Sequence, residues 1–181
     1  MRIIGGTLGG RRLVAPKGLI TRPATDRVRE SIFNLIAART TFSDCEVLDL
    51  FCGTGALGLE SISRGARHSV FVEVRRDVLK VARENANRLD VADHCVFLQR
   101  DALKFIRSTE REFDLIFADP PYDLDGLDAL PNLAVARLRP EGLLLLEHDR
   151  YLSFTDNKYC VDSRAYGRTI VSIFRPSREN V

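Results

Sequence analysis

The sequence predicts a doubly wound, mostly parallel α/β sheet of Rossmann-like type. Short apolar runs alternate with amphipathic helical patterns, and an acid closes run after run at the end where such sheets bind ligands. The runs are Glu46–Phe51, Ser69–Val74, Cys95–Gln99, Asp114–Ala118 and Leu143–Glu147. Each is short and nearly all apolar, as expected of strands covered by helices on both faces. The clearest intervening helix is Arg76–Leu89, where Val78, Ala82, Asn85, Ala86 and Leu89 recur at helical spacing against charged Arg76, Asp77, Lys80 and Glu84. After Asp149 the pattern changes. Lys158–Asp162 and Tyr166–Phe174 read as an antiparallel edge hairpin, because the intervening Ser163-Arg164-Ala165 is too short for a parallel crossover.

The 181 residues suffice for one substantial core, and no Gly, Ser or Pro-rich linker divides them. The expected organisation is an extension over residues 1–40 followed by a catalytic domain over 41–181. The net charge of +2 hides an asymmetry: the first 40 residues carry eight basic side chains against Asp26 and Glu30. Within the extension, Arg2-Ile3-Ile4 and Arg12-Leu13-Val14 suggest a hairpin around glycines, and Thr25–Arg39 a helix capped by Thr25. Val28, Ile32, Leu35 and Ile36 would form its apolar face, leaving Arg27 and Arg29 exposed. Clustered arginines are usually a solvated face, but here they accompany motifs for base chemistry. Arg11, Arg12, Lys17, Arg22, Arg27 and Arg29 are therefore expected to meet RNA phosphates.

Several classes are excluded. The longest aliphatic stretch is Leu143–Leu146, far short of the roughly 20 residues that span a bilayer. The N-terminus lacks the apolar segment of a signal peptide, so a cytoplasmic location is expected. Cys45, Cys52, Cys95 and Cys160 are scattered without zinc spacing, so reduced thiols and no metal are expected.

Two motifs carry the chemistry. Val47-Leu48-Asp49-Leu50-Phe51-Cys52-Gly53-Thr54-Gly55 reads as a buried strand entering a glycine turn. With Gly58 and the strand-end acid Glu73 it also fits the dinucleotide fingerprint, which makes a nicotinamide enzyme a rival. Asp49 opposes that rival, because a carboxylate there would repel a pyrophosphate. S-adenosylmethionine carries a sulfonium and an ammonium instead, both favoured by an acid. Phe51, Gly53, Thr54, Gly55 and Val74 would line the donor, Glu73 would take its ribose hydroxyls, and Asp101 with Ala102 would meet its adenine. Asp101 can at the same time cap a helix over Ala102–Arg107.

The second motif is Asp119-Pro120-Pro121-Tyr122, closing the run Phe113–Ala118. An exocyclic base amine is a weak nucleophile because its lone pair is delocalised into the ring. A carboxylate accepting one N–H and the Pro120 carbonyl accepting the other would favour the charge that develops on nitrogen. Two prolines stop the strand and stiffen the turn, and Tyr122 offers a ring on which a flipped base can stack. These residues alone point to adenine N6, guanine N2 or cytosine N4 without choosing among them.

Together, Met1-Arg2-Ile3-Ile4-Gly5-Gly6, Thr21-Arg22-Pro23-Ala24-Thr25-Asp26-Arg27-Val28-Arg29-Glu30, Phe33-Asn34, LDLFCGTGALGLE and FADPPY resemble the bacterial small-subunit rRNA guanine-N2 methyltransferases over nearly the whole chain. The glycine and DPPY motifs are shared by many amino-methyltransferases; the TRPxTDRVRE segment narrows the family. The resemblance implies a class I S-adenosylmethionine-dependent methyltransferase that modifies a guanine of 16S rRNA on the small ribosomal subunit or an assembly intermediate. It implies that Asp49, Gly53, Gly55, Glu73 and Asp101 line the donor site, and that Asp119 to Tyr122 hold the guanine. The alternatives are a DNA adenine-N6 methyltransferase, disfavoured because no target-recognition domain is visible, and a non-catalytic RNA-binding or assembly factor. A monomer is expected, since no apolar helix face is left over.

Overall fold

The computed structural model describes residues 1–15, 26–121 and 123–177. Seven strands form one sheet in the order β3-β2-β1-β4-β5-β7-β6. They are β1 (Glu46–Leu50), β2 (His68–Glu73), β3 (Cys95–Gln99), β4 (Phe113–Ala118), β5 (Leu138–Asp149), β6 (Cys160–Tyr166) and β7 (Thr169–Phe174). The first five pair in parallel, and β7 runs antiparallel to both β5 and β6. The helices are α1 (Asp26–Ala37), α2 (Ala56–Ser63), α3 (Arg76–Arg88), α4 (Ala102–Ser108) and α5 (Leu130–Val135).

Alternation along the strands sorts side chains onto two faces. Leu48, Leu50, Val70, Val72, Ile116, Leu144 and Leu146 pack with Phe105 and Ile106 of α4 and Leu130 and Ala134 of α5. On the other face α1 supplies Ile32, Phe33 and Ile36 to Val47, Leu115, Phe117, Leu143 and Leu145. Beside it, Leu59 and Ile62 of α2 and Leu79, Ala82 and Ala86 of α3 cover Phe71.

The first 15 residues form a strap over α2 and α3. Its two arms pair as a short hairpin, through the antiparallel bridge of Arg2 to Arg12 and hydrogen bonds from Ile3 N to Arg11 O, Gly10 N to Ile3 O and Leu13 N to Met1 O, with a 3-10 turn at Gly6–Leu8 between them. Ile3 and Leu13 are buried against α2 and α3. Glu60 of α2, fully buried, accepts from Ile4 N at 2.6 Å and Gly5 N at 2.9 Å. Asn85 of α3, also fully buried, accepts from Val14 N and donates to the Val14 and Thr54 carbonyls. The strap is thereby stitched to the glycine turn that Thr54 belongs to.

Two expectations are corrected. Arg29 is 2% exposed, not solvated. It shares the inward stripe of α1 with Ile32, Phe33 and Ile36, and its Nη2 donates to the Arg2 carbonyl at 2.7 Å and Asp26 at 2.8 Å. The edge hairpin turns at Gly167-Arg168, one step beyond Tyr166 paired with Thr169, so Ser163-Arg164-Ala165 lies within β6. Gly167 takes φ of +68°, a left-handed conformation that a glycine adopts without strain and that closes a tight hairpin.

Candidate active site

In an open α/β sheet, ligands bind beyond the carboxyl ends of the strands, where the strand order reverses. Here the reversal falls at β1, which pairs with β2 on one side and β4 on the other. The two sequence motifs leave these neighbouring strands side by side: Asp49 pairs with Phe117 and Leu50 with Ala118.

The turn after β1 is tightly determined. Phe51 takes φ of +61°, uncommon for a residue with a bulky side chain, and packs against the core below. Cys52 N donates to Val72 O at 3.0 Å, and Gly55 N to Cys52 O at 2.7 Å. Burial pushes the Cys52 thiol well above its usual range, so it packs as a small apolar group. Gly58 has a packing role: a Cβ there would lie 2.4 Å from Phe71 Cε1 and 2.6 Å from Ser69 Oγ. Its N–H donates to Asp49 Oδ2 at 3.0 Å, so Asp49 satisfies a donor in the first turn of α2 while joining that helix to β1.

Four carboxylates converge around this end of the sheet. Asp49, 3% exposed, is raised well above the usual carboxylate range by burial, and the charges of Asp119 and Glu73 add to the shift. Glu73 ends β2, with Oε2 accepting from Gly53 N at 3.3 Å and Oε1 from Arg75 N at 2.9 Å. It therefore bridges the glycine turn and the start of α3. Asp119, directly after β4, opens to solvent but is ringed by protein, and the resulting desolvation lifts its carboxyl to about 6. Glu147 on β5 lies next to it: Ala118 pairs with Leu146 in parallel register, and the Asp119 charge acts on Glu147. Burial first and that charge second raise the Glu147 carboxyl to about 8, against a hydrogen bond with Thr169 that lowers it.

Sequence reasoning missed Glu147 as a site residue. The available signal was the rule that singled out the others: an acid closing an apolar strand, here Leu143–Leu146.

The remaining expected residues distribute as follows. Val74, 61% exposed, stands immediately after Glu73 as an apolar surface. Asp101 caps α4, its Oδ1 accepting from Lys104 N at 2.8 Å, while Ala102 is buried in the core. The Thr54 hydroxyl lies 3.6 Å from Met1 Sδ in the strap. Pro120 is buried, and the Pro121 carbonyl accepts from Leu124 N at 3.1 Å, closing the turn after the motif. Tyr122, Lys17, Arg22 and Thr25 lie outside the described residues. Arg12 and Arg27 are exposed. Arg11, although exposed, donates to the Leu89 carbonyl at 3.1 Å and to that of Arg88, where it staples the strap to the end of α3. Two buried nitrogens of Arg29, Nε and Nη1, have no hydrogen-bond partner among the described residues. Among the described residues there is no cluster able to hold a metal ion, and no helix is long and apolar enough to cross a membrane.

This strand order, glycine turn and ring of strand-end acids define a class I S-adenosylmethionine-dependent methyltransferase of Rossmann-like fold. The chain belongs to the small-subunit rRNA methyltransferase D family, whose sequence description, conserved hypothetical protein 95, matches residues 1–175. It is 36% identical to YlbH of Bacillus subtilis over 183 residues, covering 97% of this chain and 98% of that protein. It is 35% identical to ribosomal RNA small subunit methyltransferase D of Escherichia coli over 151 residues, covering 82% of this chain and 75% of the relative. Among solved structures, the Thermus thermophilus 16S rRNA N2 G1207 methyltransferase RsmC, in complex with AdoMet and guanosine, shares the fold with a TM-score of 0.74. At 24% identity the match covers 98% of this chain and 49% of that one.

Proposed function

We propose that this chain transfers the methyl group of S-adenosylmethionine to the exocyclic N2 amine of a guanine in 16S rRNA, on the small subunit or an assembly intermediate. The observation that carries the reading is the placement of the Asp119-Pro120-Pro121 turn beside the glycine turn of β1, on the two strands that flank the reversal of strand order. The small-subunit rRNA substrate follows from family membership, and guanine N2 from the resemblance of the N-terminal and DPPY segments. A cytoplasmic location follows from that substrate.

The residues present fit the donor. When bound, it supplies an electrophilic methyl on a sulfonium. Burial makes Asp49 costly to ionise and raises its carboxyl well above the usual range, and a cationic ligand relieves that cost. Glu73, fixed by Gly53 N and Arg75 N, retains acceptor capacity for ribose hydroxyls. Val74 offers an apolar plate and Asp101 a second carboxylate oxygen for the adenine end.

For the acceptor, Asp119 takes one N–H of the amine and opposes the positive charge that grows on nitrogen as the N–C bond forms. The methyl–sulfur bond of the donor would break as the N–C bond forms, leaving a neutral thioether, and the surplus proton on nitrogen would pass by way of the Asp119 carboxylate to solvent. The proline turn holds this acceptor rigid, and placement of two reactants is itself worth roughly 7–11 kcal/mol of barrier. On the RNA side, exposed Arg12 and Arg27 contact phosphates, while specificity for the folded loop comes from shape.

The test is Asp119→Ala, assayed for turnover and, by calorimetry, for donor binding. Expected is loss of turnover with donor affinity unchanged within about threefold, since Asp119 acts on the acceptor rather than on the donor's polar groups. Near-normal turnover would remove Asp119 from the chemistry.

A further inference from the structure

We propose that Glu147 is a specificity-determining residue, whose carboxyl oxygen accepts the N1–H of the guanine while Asp119 holds the N2 amine. The inference deepens the methyltransferase reading above and rests on it.

Three structural observations place Glu147 at the reacting base. First, β4 and β5 run in parallel with Ala118 beside Leu146, so Asp119 and Glu147 are neighbours across the pair, about 4.8 Å apart along the sheet. Second, alternation puts both on one face. Leu115 and Phe117 of β4 and Leu143 and Leu145 of β5 share a core cluster, and Asp119 and Glu147 continue those two series by steps of two. Third, the carboxyl is held by its surroundings. It is half-buried and hydrogen-bonded to Thr169 on β7, the strand on the far side of β5. A glutamate whose only task was solubility would not be fixed between two strands beside the DPP turn. The influence of the Asp119 charge on Glu147, second only to burial, is a further sign of their proximity.

The chemistry follows from the edge presented. With its N2 amine directed at Asp119, guanine places N1–H, a donor, next along the same edge. Glu147 offers an acceptor there. A purine with an unprotonated N1 would set a lone pair against that oxygen. A site that hydrogen-bonds a substrate donor rejects analogues lacking it far more strongly than an apolar pocket rejects a change of size.

The experiment uses a synthetic fragment of 16S rRNA carrying, at the nucleotide that the unaltered enzyme methylates, either guanosine or 2-aminopurine riboside. The analogue keeps the C2 amine but has an unprotonated N1 and no O6. The unaltered protein, Glu147→Ala and Glu147→Gln are compared for kcat/KM on both, with donor binding followed by calorimetry. The unaltered enzyme is expected to prefer guanosine by about 100-fold. Glu147→Ala is expected to lose about 10- to 100-fold on guanosine and little on 2-aminopurine, so the preference collapses. Glu147→Gln, whose amide oxygen can still accept N1–H, is expected to restore most of the guanosine activity. A preference in Glu147→Ala equal to that of the unaltered enzyme, whatever the absolute rates, would overturn the proposal and return Glu147 to a structural role. Because the readout is a ratio within each variant, a partly folded sample does not imitate either result. Methylation of adenine, or no transfer by the unaltered enzyme, would instead overturn the parent reading and this inference with it.

Discussion

Replacing Glu60 by Ala should destabilise the protein by about 3–5 kcal/mol, the cost of leaving buried partners of a charged group uncompensated. Glu60 is fully buried and binds three donors: Ile4 N at 2.6 Å, Gly5 N at 2.9 Å and Arg64 Nε at 2.8 Å. Truncation orphans two backbone N–H groups of the strap and a half-buried guanidinium that otherwise stacks 4.7 Å above the Phe33 ring of α1. The loss therefore reaches the strap, α2 and α1 together. Against a total stability of roughly 5–15 kcal/mol it is large, and for a chain of this size it corresponds to a fall in Tm on the order of 10 °C. Urea unfolding followed by circular dichroism measures it. Glu60→Gln, which keeps one accepting oxygen, should lose about half as much. A Glu60→Ala variant within about 1 kcal/mol of the unaltered protein would refute the claim that the strap is built into the fold through this carboxylate.

Three further outcomes are expected. Arg27→Glu should weaken RNA binding and flatten its dependence on salt by about one counterion, whereas Arg29→Glu should lower the unfolding midpoint, because Arg29 is buried against the Arg2 carbonyl and Asp26. Binding titrations across salt concentrations, alongside urea melts, separate the two; equal effects on both readouts would contradict the assignment. As for pH, the folded state raises the Glu147 carboxyl from 4.5 to about 8, so between these values it binds more protons than the unfolded chain and stability falls as pH rises. Glu147→Gln should flatten that decline in a series of urea midpoints from pH 5 to about 8. Activity should independently fall as pH drops through about 6, where Asp119 loses the charge that accepts the amine.

Much of the sheet is legible because its parallel strands are short apolar runs, most of them closed by an acid. Asp101 caps α4 as its position before an amphipathic helix implies. The errors arose where tertiary packing overrode local pattern. Arg29 falls at helical spacing with Ile32, Phe33 and Ile36, yet its charge argues for the surface; Asp26 one turn earlier on α1 and the Arg2 carbonyl, which folding brings in, partner it inside. The hairpin turn was placed four residues early because Ser163-Arg164-Ala165 is polar, whereas Gly167 carried the stronger conformational signal. Glu147 reads in the sequence as the end of a strand, and its nearness to Asp119 follows only from the register that sets Ala118 beside Leu146. Nothing in the sequence announced that Glu60 would anchor the strap, since its three donors come from residues 4, 5 and 64.

The most direct measurement is methyl transfer from labelled S-adenosylmethionine to unmodified small ribosomal subunits and to their rRNA stripped of protein, followed by nucleoside digestion and mass analysis. N2-methylguanosine in either sample is the expected result, and the ratio between them reports whether ribosomal proteins shape the substrate. Label in N6-methyladenosine, or no label while the donor still binds, would contradict the account.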